Sequence, residues 1–202
     1  MAFLNRASGE IHCKIVYYGP GWGGKTTNLE RVFKRIAGRG DAQMTRLSTE
    51  GDRTLYFDLL PLDLGRILGY RTRLHLYTVP GQPRYNASRK IILEGVDGLV
   101  FVADSHPDQF FWNRVSFENL RRNLALFSRT LESVPLVLQY NKRDLPQAVS
   151  VEKLESLLNG GGWPAFPAVA IEGTGVLETL KAIVTTVVGE LAQTPTRVAS
   201  HV

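Results

Sequence analysis

The run Gly19-Pro20-Gly21-Trp22-Gly23-Gly24-Lys25-Thr26 follows the apolar stretch Ile11 to Tyr18 directly and opens a segment of helical period. No other feature of the chain narrows its fold as far. The run satisfies G-x-x-x-x-G-K-[ST], and its glycines let successive backbone N–H groups turn inward as an anion nest at the positive end of a helix dipole. Gly19, Gly21, Trp22, Gly23, Gly24, Lys25, Thr26 and Thr27 are therefore the candidate phosphate cradle. The Lys25 ammonium is expected on the β- and γ-phosphates of a nucleotide, and the Thr26 hydroxyl on Mg²⁺.

Such a loop needs a strand feeding a helix, and the rest of the chain repeats that unit. Apolar runs of strand length recur at Ile11 to Tyr18, Leu55 to Leu60, Leu74 to Val79, Gly98 to Ala103, Leu136 to Tyr140 and Phe166 to Ile171. Between them Leu29, Val32, Phe33 and Ile36 mark one helix, with Gly38 as its stop. Phe117, Leu120, Leu124, Phe127 and Leu131 mark a second, and Leu177, Leu180, Val184, Val187 and Leu191 a third. The order predicts an α/β protein of the P-loop NTPase type: a mostly parallel six-stranded sheet, one antiparallel edge strand and helices on both faces. The antiparallel part is expected as a hairpin of Leu55 to Leu59 with Arg71 to Leu76, since Arg71, Arg73 and His75 alternate toward solvent.

With 44% apolar and 21% charged residues and no linker, the chain reads as one domain over 1–192 and a short flexible tail over 193–202. No apolar stretch approaches the ~18 to 20 residues of a membrane span. Ala2 stands where N-myristoylation needs glycine, and no prenylation cysteine follows Ser200, so a cytoplasmic, unanchored protein is expected. The single cysteine, Cys13, excludes a disulfide framework and suits a buried strand position. The net charge of +5 is spread in pairs such as Lys34-Arg35, with no basic block, so a nucleic-acid partner is not expected.

After the fifth apolar run stands Asn141-Lys142-Arg143-Asp144. A carboxylate at Asp144 can accept from both N1–H and the 2-amino group of guanine, and adenine offers neither donor. The Lys142 stem can cover the base plane, and Asn141 can tie the segment toward the phosphate loop.

These two motifs together resemble Ras-superfamily GTPases over about Ile11 to Leu191, and most of all the bacterial MglA-type small GTPases. The resemblance lies in Lys14 to Gly21, Arg53-Thr54-Leu55, Leu62 to Gly65, His75 to Gln82, Tyr85 to Lys90 and Val96 to Ser105. It implies a GTP-binding, GTP-hydrolysing switch that sets cell polarity or motility through GTP-state effectors, with a Roadblock-type activating protein and an enrichment at a cell pole through partners. It also assigns roles. Thr54 is implied as the switch I threonine on Mg²⁺ and the γ-phosphate, and Gly81 and Gln82 as the start of switch II, with the Gln82 amide orienting the attacking water. Arg53 lies where an arginine supplied in cis stabilises transition-state charge. Ala170 and Ile171 sit where relatives place a second base-contacting loop.

Two positions depart from the superfamily pattern. Thr78 replaces the Asp of D-x-x-G, as in MglA-type chains, which removes a charge from the metal site; Trp22 is bulky for a phosphate loop. They keep a second reading open, a nucleotide-bound scaffold that does not cycle. A metabolic P-loop kinase is a third, opposed by the Asn141 to Asp144 motif. Asp58, Arg84, Tyr85 and the residues between Leu60 and Tyr70 are expected at a partner surface, Phe110, Phe111 and Trp112 in the core or a docking site, and His12, His75, His106 and His201 as structural or exposed.

Overall fold

The computed structural model describes residues 3–5, 9–36, 44–48, 56–67 and 70–193. Arg53, Thr54, the Gly38 stop and the tail from residue 194 lie outside the described residues. Among the described residues, eight strands form one sheet: β1 (Phe3–Asn5), β2 (Glu10–Tyr18), β3 (Thr45–Ser48), β4 (Tyr56–Ile67), β5 (Tyr70–Thr78), β6 (Gly98–Asp104), β7 (Leu136–Asn141) and β8 (Ala165–Pro167). Their order is β3-β4-β5-β2-β6-β7-β8, with β1 paired antiparallel to β2 beside this path.

Five α-helices among the described residues cover the sheet: α1 (Lys25–Ile36), α2 (Asn86–Leu93), α3 (Phe110–Ala125), α4 (Val151–Leu158) and α5 (Val176–Gln193). Alternation along the strands sorts them. Val16, Tyr18, Leu99, Phe101 and Ala103 point to the face packed by Ile92, Phe117, Leu120, Leu124, Leu154 and Leu158 of α2, α3 and α4. Ile15, Tyr17, Val100 and Val102 point to the other, against Leu29 and Val32 of α1 and Val176, Ile183 and Val187 of α5. Every residue of β6 is buried, as a parallel strand covered on both faces requires.

The six expected strands are all present, and the two short ones, β1 and β3, add to them. The hairpin is real: β4 and β5 pair antiparallel, with Leu59 opposite Tyr77. It does not end the sheet, because β3 lines up outside Tyr56–Leu59 and β5 lies between β4 and β2. The last strand is shorter than its apolar run, since a turn closed by the Val169–Thr174 bridge takes over after Pro167. Helix α3 likewise stops before Phe127. Ser128 enters the left-handed region at φ 55, and the Arg129 amide returns to the Leu124 carbonyl, so Leu131 reaches the core from the following turn. Cys13 is 1% exposed on β2, and burial pushes its thiol up to about 12.

Candidate functional site

The carboxyl ends of β2, β5, β6 and β7 converge on the loop between β2 and α1, where an open α/β sheet places its ligand. Lys25, 7% exposed, donates from Nζ to the carbonyls of Gly19 (3.0 Å) and Pro20 (2.5 Å). Burial, and then the charge of Arg89, bring its pKa down to about 7, against the pull of Asp104 and Asp58. The ammonium is thus held over the loop backbone, where an anion is its natural counterion. Trp22 adopts φ 63 and throws its ring outward, 83% exposed. Gly23 is buried, Gly21, Gly24, Thr26 and Thr27 are partly exposed, and Gly19 hands the strand to the loop.

The segment that begins at Asn141 is tied to the phosphate loop by one side chain. Asn141 Nδ2 donates to the Gly23 carbonyl (2.9 Å), and its Oδ1 accepts from the Ala170 amide (2.8 Å). Three loops that follow three different segments are joined there. Gly24 permits it: at φ 97 it takes a left-handed turn, and a Cβ would overlap the Asn141 amide nitrogen. Lys142, at φ 64, forms an ion pair with buried Asp104 (2.6 Å), and Asp144 is exposed at the rim. Ala170 is buried and Ile171 is 65% exposed.

At the opposite end, Thr26 Oγ1 donates to Asp58 Oδ2 (2.6 Å), and Thr78 Oγ1 donates to the same oxygen (3.0 Å). Asp58 is 8% exposed, so its assignment to a partner surface is corrected. The cause is strand parity: Asp58, Leu60 and Leu62 face α1, whereas Leu59 and Pro61 are less buried. The sequence hid this parity, because Leu59 is as apolar as its neighbours. A hydroxyl that gives its proton to a carboxylate keeps its lone pairs for a hard cation, so Thr26 fits Mg²⁺.

The segment after β5 crosses the phosphate loop. A Cβ on Gly81 would overlap the backbone of Pro20 and Gly21, so only glycine allows this approach. Gln82 is exposed, close to Gly21. Arg89 of α2, 5% exposed, holds the segment from beneath: Nη1 donates to the carbonyls of Pro80 (2.9 Å) and Gln82 (2.7 Å), Nη2 to Pro83 (3.2 Å) and Nε to Asn119 Oδ1 (2.9 Å). Sequence reading missed this residue, because an arginine amid Ser88 and Lys90 looks like a solvated face. A groove of about 390 Å³ runs between this segment, Trp22 and α3, lined in part by Gln82, Arg89, Trp112 and Asn119. Phe111 and Trp112 are 64% and 45% exposed, and only Phe110 packs on the core.

The fold and this site define a P-loop nucleotide-binding domain. The profile of the ADP-ribosylation factor family matches residues 62–187. The chain is 56% identical over 191 residues to the mutual gliding-motility protein MglA of Myxococcus xanthus, covering 95% of this chain and 98% of that one. It is 28% identical over 176 residues to ADP-ribosylation factor-like protein 4A of Homo sapiens and of Mus musculus, covering 83% of this chain and 79% of each. The chain belongs to the ADP-ribosylation factor family of Ras-superfamily small GTPases. It is a GTP-binding switch that hydrolyses GTP, and members of its family bind guanine nucleotide, generally with Mg²⁺, and work through regulators and effectors. No described helix is long and apolar enough to cross a membrane.

Proposed function

We propose that this GTPase controls cell polarity or gliding motility, cycling between GTP- and GDP-bound forms under a Roadblock-type activating protein. The kinship with the gliding-motility protein, which extends over nearly both chains, supports this reading. The domain spans 1–192 and the tail 193–202; the protein works in the cytoplasm and gathers at a cell pole through partners. The exposed rings of Trp22, Phe111 and Trp112 around one groove suit a partner surface next to the nucleotide.

Guanine nucleotide is held by Gly19, Gly21, Trp22, Gly23, Gly24, Lys25, Thr26, Thr27 and Gly81 at the phosphates, and by Asn141, Lys142, Asp144, Ala170 and Ile171 at the base. The Asn141 side chain carries this assignment, because it fixes the base loop and the phosphate loop at one separation. Bound Mg²⁺ would neutralise charge on the phosphates, with Thr26 and Thr54 as its protein ligands. Gln82 orients the attacking water, and Arg53 offsets charge that builds on the γ-phosphate in the transition state.

The test begins with the nucleotide that co-purifies: the protein is denatured and the supernatant resolved by ion-exchange chromatography, where GDP or GTP is expected and adenine nucleotides would sink the assignment. Single-turnover phosphate release then separates the roles. Gln82→Leu and Arg53→Ala should bind GTP normally and hydrolyse it at least ~10-fold more slowly, about 1.4 kcal/mol of barrier. The comparison is made with and without the activating protein, which separates a charge supplied in cis from one supplied by the partner.

A further inference from the structure

Every residue of β7 is buried, yet two of them carry amide side chains, and both sit on the face covered by α1 and α5: Asn141, whose ties are described above, and Gln139. A buried amide is costly unless its donors and acceptor all find partners. Gln139 finds them on the two helices. Its Oε1 accepts from Asn28 Nδ2 (2.8 Å), and its Nε2 donates to Asn28 Oδ1 (3.0 Å) and to Thr179 Oγ1 (2.9 Å). The chain of bonds ends on two backbone carbonyls: Asn28 Nδ2 donates also to Gly24 (3.0 Å), and the Thr179 hydroxyl donates to Gly175 (2.6 Å). All three side chains are 0% exposed.

Those two carbonyls belong to the two loops that the site needs at a fixed distance. Gly24 is the last residue of the phosphate loop before α1, and Gly175 is the last before α5, closing the loop that carries Ala170 and Ile171. We propose that Gln139 is a positioning residue for the nucleotide: with Asn28 and Thr179 it sets the spacing of these loops, two residues deeper along β7 than the tie made by Asn141. The proposal rests on the guanine-nucleotide reading above. A nucleotide spans both loops. Where their spacing is free, part of its binding energy is consumed in fixing them; where the network has fixed it during folding, that loss is avoided. Apolar side chains could fill the same space but would set no such distance, because packing is non-directional whereas these bonds hold each partner in one orientation. Gln139 is wholly buried, so it acts through Asn28 and Thr179 and not by touching the ligand.

The experiment compares two probes on the full chain, each displacing a fluorescent GDP analogue: GDP, which spans both loops, and inorganic pyrophosphate with Mg²⁺, which reaches the phosphate loop alone. Gln139→Leu cuts both arms of the network, and Thr179→Val cuts the arm to Gly175 while keeping the side chain's shape. Each should lower GDP affinity at least ~10-fold, what one or two lost hydrogen bonds amount to, and leave pyrophosphate within about threefold of wild type. Should Gln139→Leu not fold, Thr179→Val carries the same comparison. A triple variant, Asn28→Leu, Gln139→Leu and Thr179→Val, removes every member of the network and should return the urea midpoint toward wild type while GDP affinity stays low. Equal losses for the two probes overturn the proposal, as does unchanged GDP affinity in a folded single variant or a triple variant that regains GDP affinity together with stability. Wild-type protein that binds GDP no more tightly than pyrophosphate would instead overturn the nucleotide reading beneath it.

Discussion

The two ends of the proposed nucleotide site are built by different means. At the proposed base end, Asn141 sits at the last position of a fully buried parallel strand and makes both its bonds to loop backbone, to Gly23 and Ala170. At the phosphate and switch end, the parts belong to an antiparallel hairpin and a buried arginine: Asp58 meets Thr78 only through strand register, and Pro80 to Pro83 hang from Arg89. The first arrangement ties three loops together through one side chain, which suits the proposed reading of an unchanging base. The second depends on strand register and on one buried side chain, which suits the proposed role of this segment in reporting the γ-phosphate.

The sharpest way to break this contrast is at the base. Asp144→Asn should cost on the order of 10³-fold or more in GDP affinity, since a polar site left mispaired discriminates by as much as ~10⁴ to 10⁵, and should shift the preference toward xanthine nucleotides. Isothermal titration with GDP and XDP checks it; unchanged GDP binding would remove Asp144 from base reading.

Asn141→Ala should come next. It strips partners from a buried carbonyl and a buried amide, at roughly 1 to 3 kcal/mol each, so urea unfolding should show a loss of about 2 to 5 kcal/mol together with weaker nucleotide binding. A loss confined to stability, with GDP affinity intact, would make Asn141 a structural tie alone.

Arg89→Lys tests the other end. The lysine keeps a charge but cannot reach several carbonyls as the guanidinium fork does, so the Pro80 to Pro83 segment should loosen. Single-turnover hydrolysis is expected to fall at least ~10-fold while GDP affinity stays within about threefold. Equal losses in both quantities would mean that the two ends are not independent.

The smallest effect lies at the far end of the same strands and serves as a control. His12 and His75 stack on β2 and β5, their ring nitrogens 3.0 Å apart. Burial, then the charges of His12 and Arg73, hold the His75 pKa below its ordinary 6.5. A folded-state pKa lowered in this way favours the neutral ring, so its contribution is complete above 6.5 and is lost as the pH falls through that value toward the lowered one. Melting temperatures measured from pH 8 to 5 should therefore drop less for His75→Gln than for wild type, with GDP affinity at pH 7.5 unaffected. An identical pH dependence in the two proteins would remove His75 from the titration.

Much of this was legible in the residues alone, and the reason is local. A phosphate loop is a short-range device: Gly19 to Thr26 specify backbone turns, a nest and a helix start within eight neighbours, and the pattern carries its own chemistry. Asn141 to Asp144 work the same way, and the strand and helix periods fix which elements exist. Hydrophobic period alone left the ends open, because the left-handed turn at Ser128 and the bridge from Val169 to Thr174 are decided by what the chain meets there.

What only the tertiary structure decided is whatever depends on register and burial between distant segments. Asp58 and Thr78 are twenty residues apart in the chain, and an apolar run that includes Leu59, Leu60 and Leu62 gives no parity; a one-residue slip would have sent Asp58 to the opposite face. Arg89 reads as an exposed helix residue until α2 is packed beneath the Pro80 to Pro83 carbonyls. The sequence determined that the chain grips a nucleotide, because that chemistry is written in contiguous residues. Which face Asp58 takes and which arginine holds the Pro80 to Pro83 segment were settled by strand pairing and packing, because those contacts exist only once the sheet has chosen its register.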